Sequence, residues 1–159
     1  GGKTRALWEI AHALSLKLPG AAVIRISFND ATTLEKWEQA DPVGAICRRI
    51  AFAAQKNGNG KSFKSFCENV SMNDILTWLG DTACVLLIDE LNQLKALMGK
   101  SHSGHSGVGA FLKENFLQPK NRYFVFTSHT VSIKSRLCLS MDSQCKRGVL
   151  FRQLPLIPR

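Results

Sequence analysis

The sequence contains no apolar run of about eighteen residues, so no transmembrane helix and no membrane partner are expected. It also lacks the charged start, apolar stretch and small-residue cleavage site of a signal peptide. Its five cysteines are an odd number and form no C-x-x-C pair, which argues against a disulfide framework. We therefore expect reduced thiols and a cytosolic or nuclear protein that is not secreted.

Acidic residues are scarce, with 12 Asp and Glu against 21 Lys and Arg and a net charge of +9. The imbalance is greatest in residues 113–159, which hold nine Lys and Arg but two Asp and Glu. This distribution favours an anionic partner such as a nucleotide, a nucleic acid or an acidic protein surface. The alternative is a solvated basic face that contributes to solubility. No basic stripe interleaved with aromatic residues is visible.

The first residues of the chain contain the end of a phosphate-binding signature, G-x-x-x-x-G-K-[ST], as Gly2-Lys3-Thr4. Glycine lets backbone N–H groups approach phosphates, and the helix that follows presents its positive end to the same anion. Lys3 would contact the β- and γ-phosphate oxygens, and the Thr4 hydroxyl would bind Mg²⁺. The alternative interpretation of this short motif is a helix start with a solvated lysine.

A second motif strengthens this prediction. Residues 83–88 are an uninterrupted apolar run of strand length, as expected for a strand covered on both faces. Asp89 and Glu90 follow at the carboxyl end of that strand, where open α/β sheets bind ligands. Asp89 could hold Mg²⁺, and Glu90 could polarise an attacking water as a general base. The alternative is an acid-rich turn after a core strand.

A third segment, residues 123–126, predicts another buried strand, and it ends in Thr127-Ser128-His129-Thr130. Parallel strands would place this polar cluster beside the two carboxylates. Ser128 or His129 could then sense the γ-phosphate and position water. Ordinary strand-end capping by small polar residues is the alternative.

The order of predicted elements alternates between helices and strands, which indicates an α/β fold with a mostly parallel sheet. A length of 159 residues suits one domain with a real core. Asp41-Pro42 and Ser71 are the clearest helix starts. Helices are predicted over residues 4–18, 72–79, 91–97, 108–116 and, with less support from the pattern, 132–139. Strands are predicted over residues 22–28, 83–88, 123–126 and 149–154, the first at a sheet edge because its apolar residues alternate with polar ones.

Residue 1 is not methionine and falls inside the phosphate-binding signature, so we expect the chain to be a fragment. The first glycine of the signature and the strand before it would lie upstream. The expected domain is thus a P-loop NTPase domain over residues 1–159, truncated at the N-terminus and at the C-terminus as well.

Four segments together resemble the retrotransposon hot spot proteins of trypanosomes. They are Gly2-Lys3-Thr4-Arg5, residues 86–92 (LLIDELN), residues 126–129 (FTSH) and residues 154–158 (LPLIP). This family shares an AAA/STAND-like P-loop ATPase module with crinkler-type effectors.

The resemblance implies a three-layer α/β/α P-loop NTPase with strand order 5-1-4-3-2, ATP and Mg²⁺ as cofactors, and a nuclear or perinuclear location with links to chromatin. It places Gly2, Lys3, Thr4 and Arg5 on the nucleotide, Thr4 and Asp89 on the metal, Glu90 as base, and Ser128 or His129 as sensor. Strand 1, which is central in that order, is missing from this chain. We therefore expect the fragment alone to bind ATP weakly or not at all.

Three functions remain open at this point. The first is an ATPase whose hydrolysis changes a conformation or a partner surface. The second is a catalytically degenerate relative that binds nucleic acid or protein. A kinase-type enzyme is the third and is weaker, because the adjacent carboxylates favour hydrolysis and no acceptor-substrate site is recognisable.

Overall fold

The computed structural model describes residues 2–29, 33–55, 60–67, 70–94 and 107–129. Its helices are α1 (Gly2–Lys17), α2 (Lys36–Ala40), α3 (Pro42–Ala54), α4 (Phe63–Cys67), α5 (Met72–Leu79) and α6 (Gly107–Leu112), the last continuing as a π-helical segment, Lys113–Leu117. Its strands are β1 (Ala22–Ser27), β2 (Cys84–Asp89) and β3 (Arg122–Phe126), and a 3-10 turn covers Leu91–Gln93.

The three strands form one parallel sheet in the order β1-β2-β3. Leu86 in the central strand lies opposite Ile24 on one side and Phe124 on the other. All six residues of β2 are buried, which explains why its sequence is continuously apolar until the final aspartate. The predicted α/β class with a parallel sheet is confirmed. The three described strands also stand in the relative order that the resemblance implies for them.

Helices cover both faces of β2, because successive side chains of a strand point in opposite directions. Cys84, Leu86 and Ile88 belong to a large core cluster. That cluster includes residues of α3, α5 and α6, namely Ile46, Ile50, Ile75, Leu79, Val108 and Leu112. Val85 and Leu87 face the other way and pack with Leu7 of α1. Helix α1 therefore lies alone against the second face within the described part of the chain.

Two of the predicted helix starts are capped as the sequence indicates. Asp41 accepts a hydrogen bond from the backbone N–H of Gly44 at 3.0 Å, and Pro42 occupies the first turn of α3. Ser71 accepts from the backbone N–H of Asp74 at 3.2 Å at the start of α5. These side chains replace the partners that the first turn of a helix lacks.

The predicted helix over residues 91–97 is wrong where the structure describes it. Only the 3-10 turn Leu91–Gln93 forms, and Leu94 has an extended backbone. The extended backbone of Leu94 ends the helical geometry after one turn, and Glu90, the residue before that turn, has a left-handed backbone with φ 56° and ψ 48°. Residues 95–106 lie outside the described residues, as do the predicted helix over 132–139 and the predicted strand over 149–154.

Two free cysteines, Cys47 and Cys84, are buried in the core. Burial raises the pKa of the Cys47 thiol to about 12 and that of Cys84 to about 11. Both thiols therefore stay neutral and act as small apolar side chains. Among the described residues, no helix has the length and apolar character needed to cross a bilayer.

A buried ion pair ties α2 and α3 to the end of β1. Arg49 donates from Nε and Nη2 to the two carboxylate oxygens of Glu38, each at 2.7 Å, and the two side chains are 3% and 0% exposed. The guanidinium also donates to the backbone carbonyl of Ser27, the last residue of β1. It lies over the Phe28 ring at 4.6 Å. This arrangement fixes the carboxyl end of β1 against the helical layer.

Replacing Arg49 by alanine should lower the free energy of unfolding by about 3–5 kcal/mol, because the buried Glu38 carboxylate loses its cationic partner. The neighbouring Arg48→Ala is the matched control, since Arg48 pairs with Asp41 at 3.2 Å with both side chains partly exposed. We expect the control to lose about 1 kcal/mol or less. Urea denaturation of the two variants measures the difference. Equal losses would show that the Glu38–Arg49 pair has no special role.

Candidate functional site

The N-terminus of α1 and the carboxyl ends of the three strands meet at one edge of the sheet. Asp89 is the last residue of β2, and Thr127 follows directly after β3. Because the strands are parallel, the segments that leave them emerge on the same side. Side chains that are distant in sequence are thereby brought within hydrogen-bonding distance.

Thr4 and Asp89, the two predicted metal ligands, are in direct contact. The Thr4 hydroxyl donates to Asp89 Oδ2 at 2.8 Å. Asp89 is 3% exposed, and its other oxygen, Oδ1, accepts from the Thr127 hydroxyl at 2.5 Å. Both carboxylate oxygens are thus held, and Oδ2 faces the start of α1.

Thr127 is a site residue that sequence reasoning missed. Its hydroxyl donates to Asp89 and also accepts from the backbone N–H of Glu90 at 3.0 Å. One side chain therefore orients both members of the acidic pair. The available signal was its position as the first polar residue after the predicted strand 123–126, but Ser128 and His129 were favoured within the same cluster.

Glu90 has a backbone conformation that is uncommon for a residue with a side chain, with φ 56°. The contact with Thr127 and a second bond, from the backbone N–H of Leu91 to the Thr127 carbonyl at 3.1 Å, hold the chain in this conformation. The Glu90 carboxylate is nearly buried, accepting from Gln93 Nε2 at 3.1 Å on one oxygen and pairing with His129 Nε2 on the other. Such strain, maintained by surrounding contacts, is typical of functional sites.

His129 connects Lys3 to Glu90, and we call this arrangement the histidine bridge. The Lys3 Nζ atom lies 2.8 Å from His129 Nδ1. An ammonium group can only donate, so Nδ1 accepts, and Nε2 carries the proton that faces the Glu90 carboxylate. The backbone N–H of His129 donates to the Asn92 side-chain oxygen at 3.1 Å. Lys3 and Glu90, two predicted site residues, thus lie one imidazole apart.

These groups open onto a cleft of about 620 Å³. The residues that line it come from α1, from the segments after β1 and β2, and from the segment after β3: Lys3, Thr4, Arg5, Trp8, Asn29, Glu90 and His129. Trp8 and Asn29 were not predicted from the sequence. Among the described lining residues, His129 is present and Ser128 is not, which favours His129 of the two predicted sensors.

The two remaining predicted nucleotide contacts occupy the first turn of α1. Gly2 is the exposed first residue of the helix. Arg5 lines the cleft and donates to Glu9 at 2.9 Å in an exposed pair. Below them, Arg25 of β1 lies over the Trp8 ring, where burial lowers the pKa of its guanidinium and the Asp89 charge acts in the opposite direction. Among the described residues that line the cleft, Lys3 and Arg5 are basic and Glu90 is acidic, while Asp89 is buried and bonded to Thr4.

The oxygen donors at the site suit a hard cation that takes its remaining ligands from phosphate and water. In the described part of the chain, no three His, Cys, Asp or Glu side chains cluster as possible metal ligands. A hydroxyl and a carboxylate, Thr4 and Asp89, are the oxygen donors present. Mg²⁺ in nucleotide sites uses few protein oxygens and completes its shell with phosphate and water. The residues present therefore fit Mg²⁺ bound together with a phosphate ligand.

No family model, curated protein or solved structure matches this chain. The resemblance to retrotransposon hot spot proteins and the P-loop assignment therefore stay predictions. Inference about function depends on the geometry of the cleft.

Proposed function

We propose that the protein binds a nucleoside triphosphate with Mg²⁺, with ATP as the expected nucleotide, and hydrolyses it. The observation that carries this proposal is the 2.8 Å contact between the Thr4 hydroxyl and Asp89. A hydroxyl at a helix start and an aspartate at a strand end jointly hold Mg²⁺ in P-loop NTPases. Here the two residues lie in one site with Lys3 and Glu90, as that chemistry requires.

The start of α1 provides the charge for binding phosphate. It is a helix of 16 residues, and its first turn carries Lys3 and Arg5 without an acidic residue. The partial positive charge of the helix N-terminus therefore adds to two cationic side chains. Lys3 would hold the terminal phosphates, and Gly2 would allow close approach of the backbone.

Thr4 and Asp89 would hold the metal, which would neutralise charge on the β- and γ-phosphates when bound. Thr127 keeps Asp89 oriented for this role through its 2.5 Å bond to Oδ1. Preformed orientation matters because a group fixed before the ligand arrives needs no rearrangement to bind it.

Glu90 would act as the general base toward the water that attacks the γ-phosphate. Its carboxylate lines the same cleft as Lys3 and is held by Gln93 and His129. A base must be within hydrogen-bonding reach of the nucleophile, and a position beside the phosphate-binding lysine provides this. Of the two sensor candidates, the lining of the cleft supports His129.

The wider identity is part of the same proposal: an AAA/STAND-like ATPase module of a retrotransposon hot spot-type protein, nuclear or perinuclear, whose hydrolysis changes a conformation or a partner surface. A degenerate module that binds nucleic acid or chromatin-associated proteins remains the alternative.

Most basic residues of 113–159, which would bind an anionic partner in that alternative, lie outside the described residues. Arg122, which is described, is buried and donates to backbone carbonyls, including that of Thr82 at 3.0 Å.

The decisive experiment measures ATP binding and phosphate release by the full-length protein, with Mg²⁺ and with EDTA. We expect micromolar affinity and hydrolysis that requires Mg²⁺. An absence of binding at millimolar ATP would refute the proposal. Binding without turnover would favour the degenerate alternative.

A further inference from the structure

The histidine bridge joins Lys3, the proposed phosphate-binding residue, to Glu90, the proposed general base. Lys3 would hold the terminal phosphates, and Glu90 would activate the water that attacks the γ-phosphorus, with ADP as the leaving group. In the structure, Lys3 donates to His129 Nδ1 at 2.8 Å, and His129 Nε2 faces Glu90. The Lys3 ammonium group has three N–H donors and gives one of them to His129, so a phosphate bound at Lys3 competes with the imidazole for that donor.

We propose that His129 is a positioning residue that senses the γ-phosphate through Lys3 rather than by touching it. Its imidazole contacts Lys3 through Nδ1 and Glu90 through Nε2. A phosphate that takes Lys3 leaves the imidazole held by Glu90 alone and changes how the base is oriented. This inference rests on the proposed function, because it needs a phosphate ligand at Lys3.

The imidazole is the part of the bridge that can move. The side chain of His129 is 55% exposed, whereas that of Glu90 is 7% exposed. Gln93 holds the second oxygen of Glu90, and Asn92 holds the His129 backbone. A change at Lys3 therefore turns the imidazole ring before it displaces either backbone.

Competition between phosphate and His129 for Lys3 should lower ATP affinity by a measurable amount. A phosphate is a charged acceptor and forms a stronger hydrogen bond with an ammonium group than a neutral imidazole does. Phosphate therefore displaces His129, and the free energy of ATP binding is reduced by that of the lost Lys3–His129 hydrogen bond. For one hydrogen bond this corresponds to about 2- to 10-fold in affinity.

Two substitutions separate the bridge from a general structural effect. In His129→Gln, the amide oxygen can accept from Lys3 while the amide nitrogen donates to Glu90, so both contacts are retained. In His129→Ala, both contacts are lost. Since His129 is half exposed, neither change should prevent folding, and far-UV circular dichroism checks this.

We expect His129→Ala to bind ATP about 2- to 10-fold more tightly than the wild-type protein, because Lys3 is no longer shared. Its turnover should fall by about 10- to 100-fold, because the Glu90 carboxylate loses the imidazole contact that orients it toward the attacking water. His129→Gln should restore both quantities toward wild type. The measurements are calorimetric ATP affinity and steady-state phosphate release by the full-length protein.

The opposite result in affinity would overturn the inference. If His129→Ala binds ATP more weakly than wild type, the imidazole contacts phosphate directly. If all three proteins behave alike, the bridge has no role. Either result, with wild-type ATP binding intact, defeats this inference and leaves the proposed function standing. If the wild-type protein binds no ATP, the proposed function fails first and the inference fails with it.

Discussion

Glu90→Gln should reduce ATP turnover by about 100- to 10,000-fold while leaving ATP affinity close to that of the wild-type protein. General base catalysis contributes a factor of this size, and an amide cannot accept the proton that a carboxylate accepts. Glutamine has nearly the same shape, and its oxygen can still face His129 Nε2. Phosphate binding at Lys3 and Thr4 is therefore preserved.

Phosphate release at saturating ATP measures the loss of turnover, and calorimetry measures affinity. Glu114→Gln provides the control, since it makes the same chemical change on an exposed residue of the π-helical segment. We expect the control to hydrolyse ATP at the wild-type rate. Normal turnover by Glu90→Gln would mean that the base has been assigned to the wrong residue.

Lys3→Ala should abolish measurable ATP binding, a loss of about 100-fold or more. A charge-assisted bond between an ammonium group and phosphate is roughly twice as strong as a neutral hydrogen bond, and truncating such a charged partner costs about 2–5 kcal/mol. Lys3 also lies in the first turn of α1, where its charge adds to that of the helix N-terminus.

Lys17→Ala is the matched control for this variant. It removes the same charge from the same helix, but at the last turn and on an exposed residue. We expect its ATP affinity to remain within about twofold of wild type, since exposed charges more than about 10 Å apart are largely screened by salt. A similar loss in both variants would mean that net charge, rather than a phosphate contact at Lys3, governs binding.

The central strand and its acidic end could be predicted from the sequence because they depend on local pattern. A run of six apolar residues requires cover on both faces, and β2 has it. The alternation in residues 22–28 likewise predicted an edge position, and β1 is at the edge of the described sheet. These predictions needed no knowledge of which segments pack together.

The contacts that orient the site could not be predicted in this way. Thr127 reaches Asp89 only because β2 and β3 pair in one particular register. A 3-10 turn at Leu91–Gln93 replaced the expected helix because Leu94 is extended, and Glu90 before the turn adopts a left-handed backbone that its sequence neighbours do not require. The buried pair of Glu38 and Arg49 was also missed, since charged residues are ordinarily exposed.

The sequence by itself determined the α/β class, the apolar central strand and the residue types at its end, because hydrophobic periodicity and strand length are properties of contiguous segments. Only the tertiary structure decided that Lys3 and His129, 126 positions apart, are hydrogen-bonded to each other, and that Glu90 completes the bridge. The physical reason is that strand register and one left-handed residue set these distances, and both result from packing across the whole sheet.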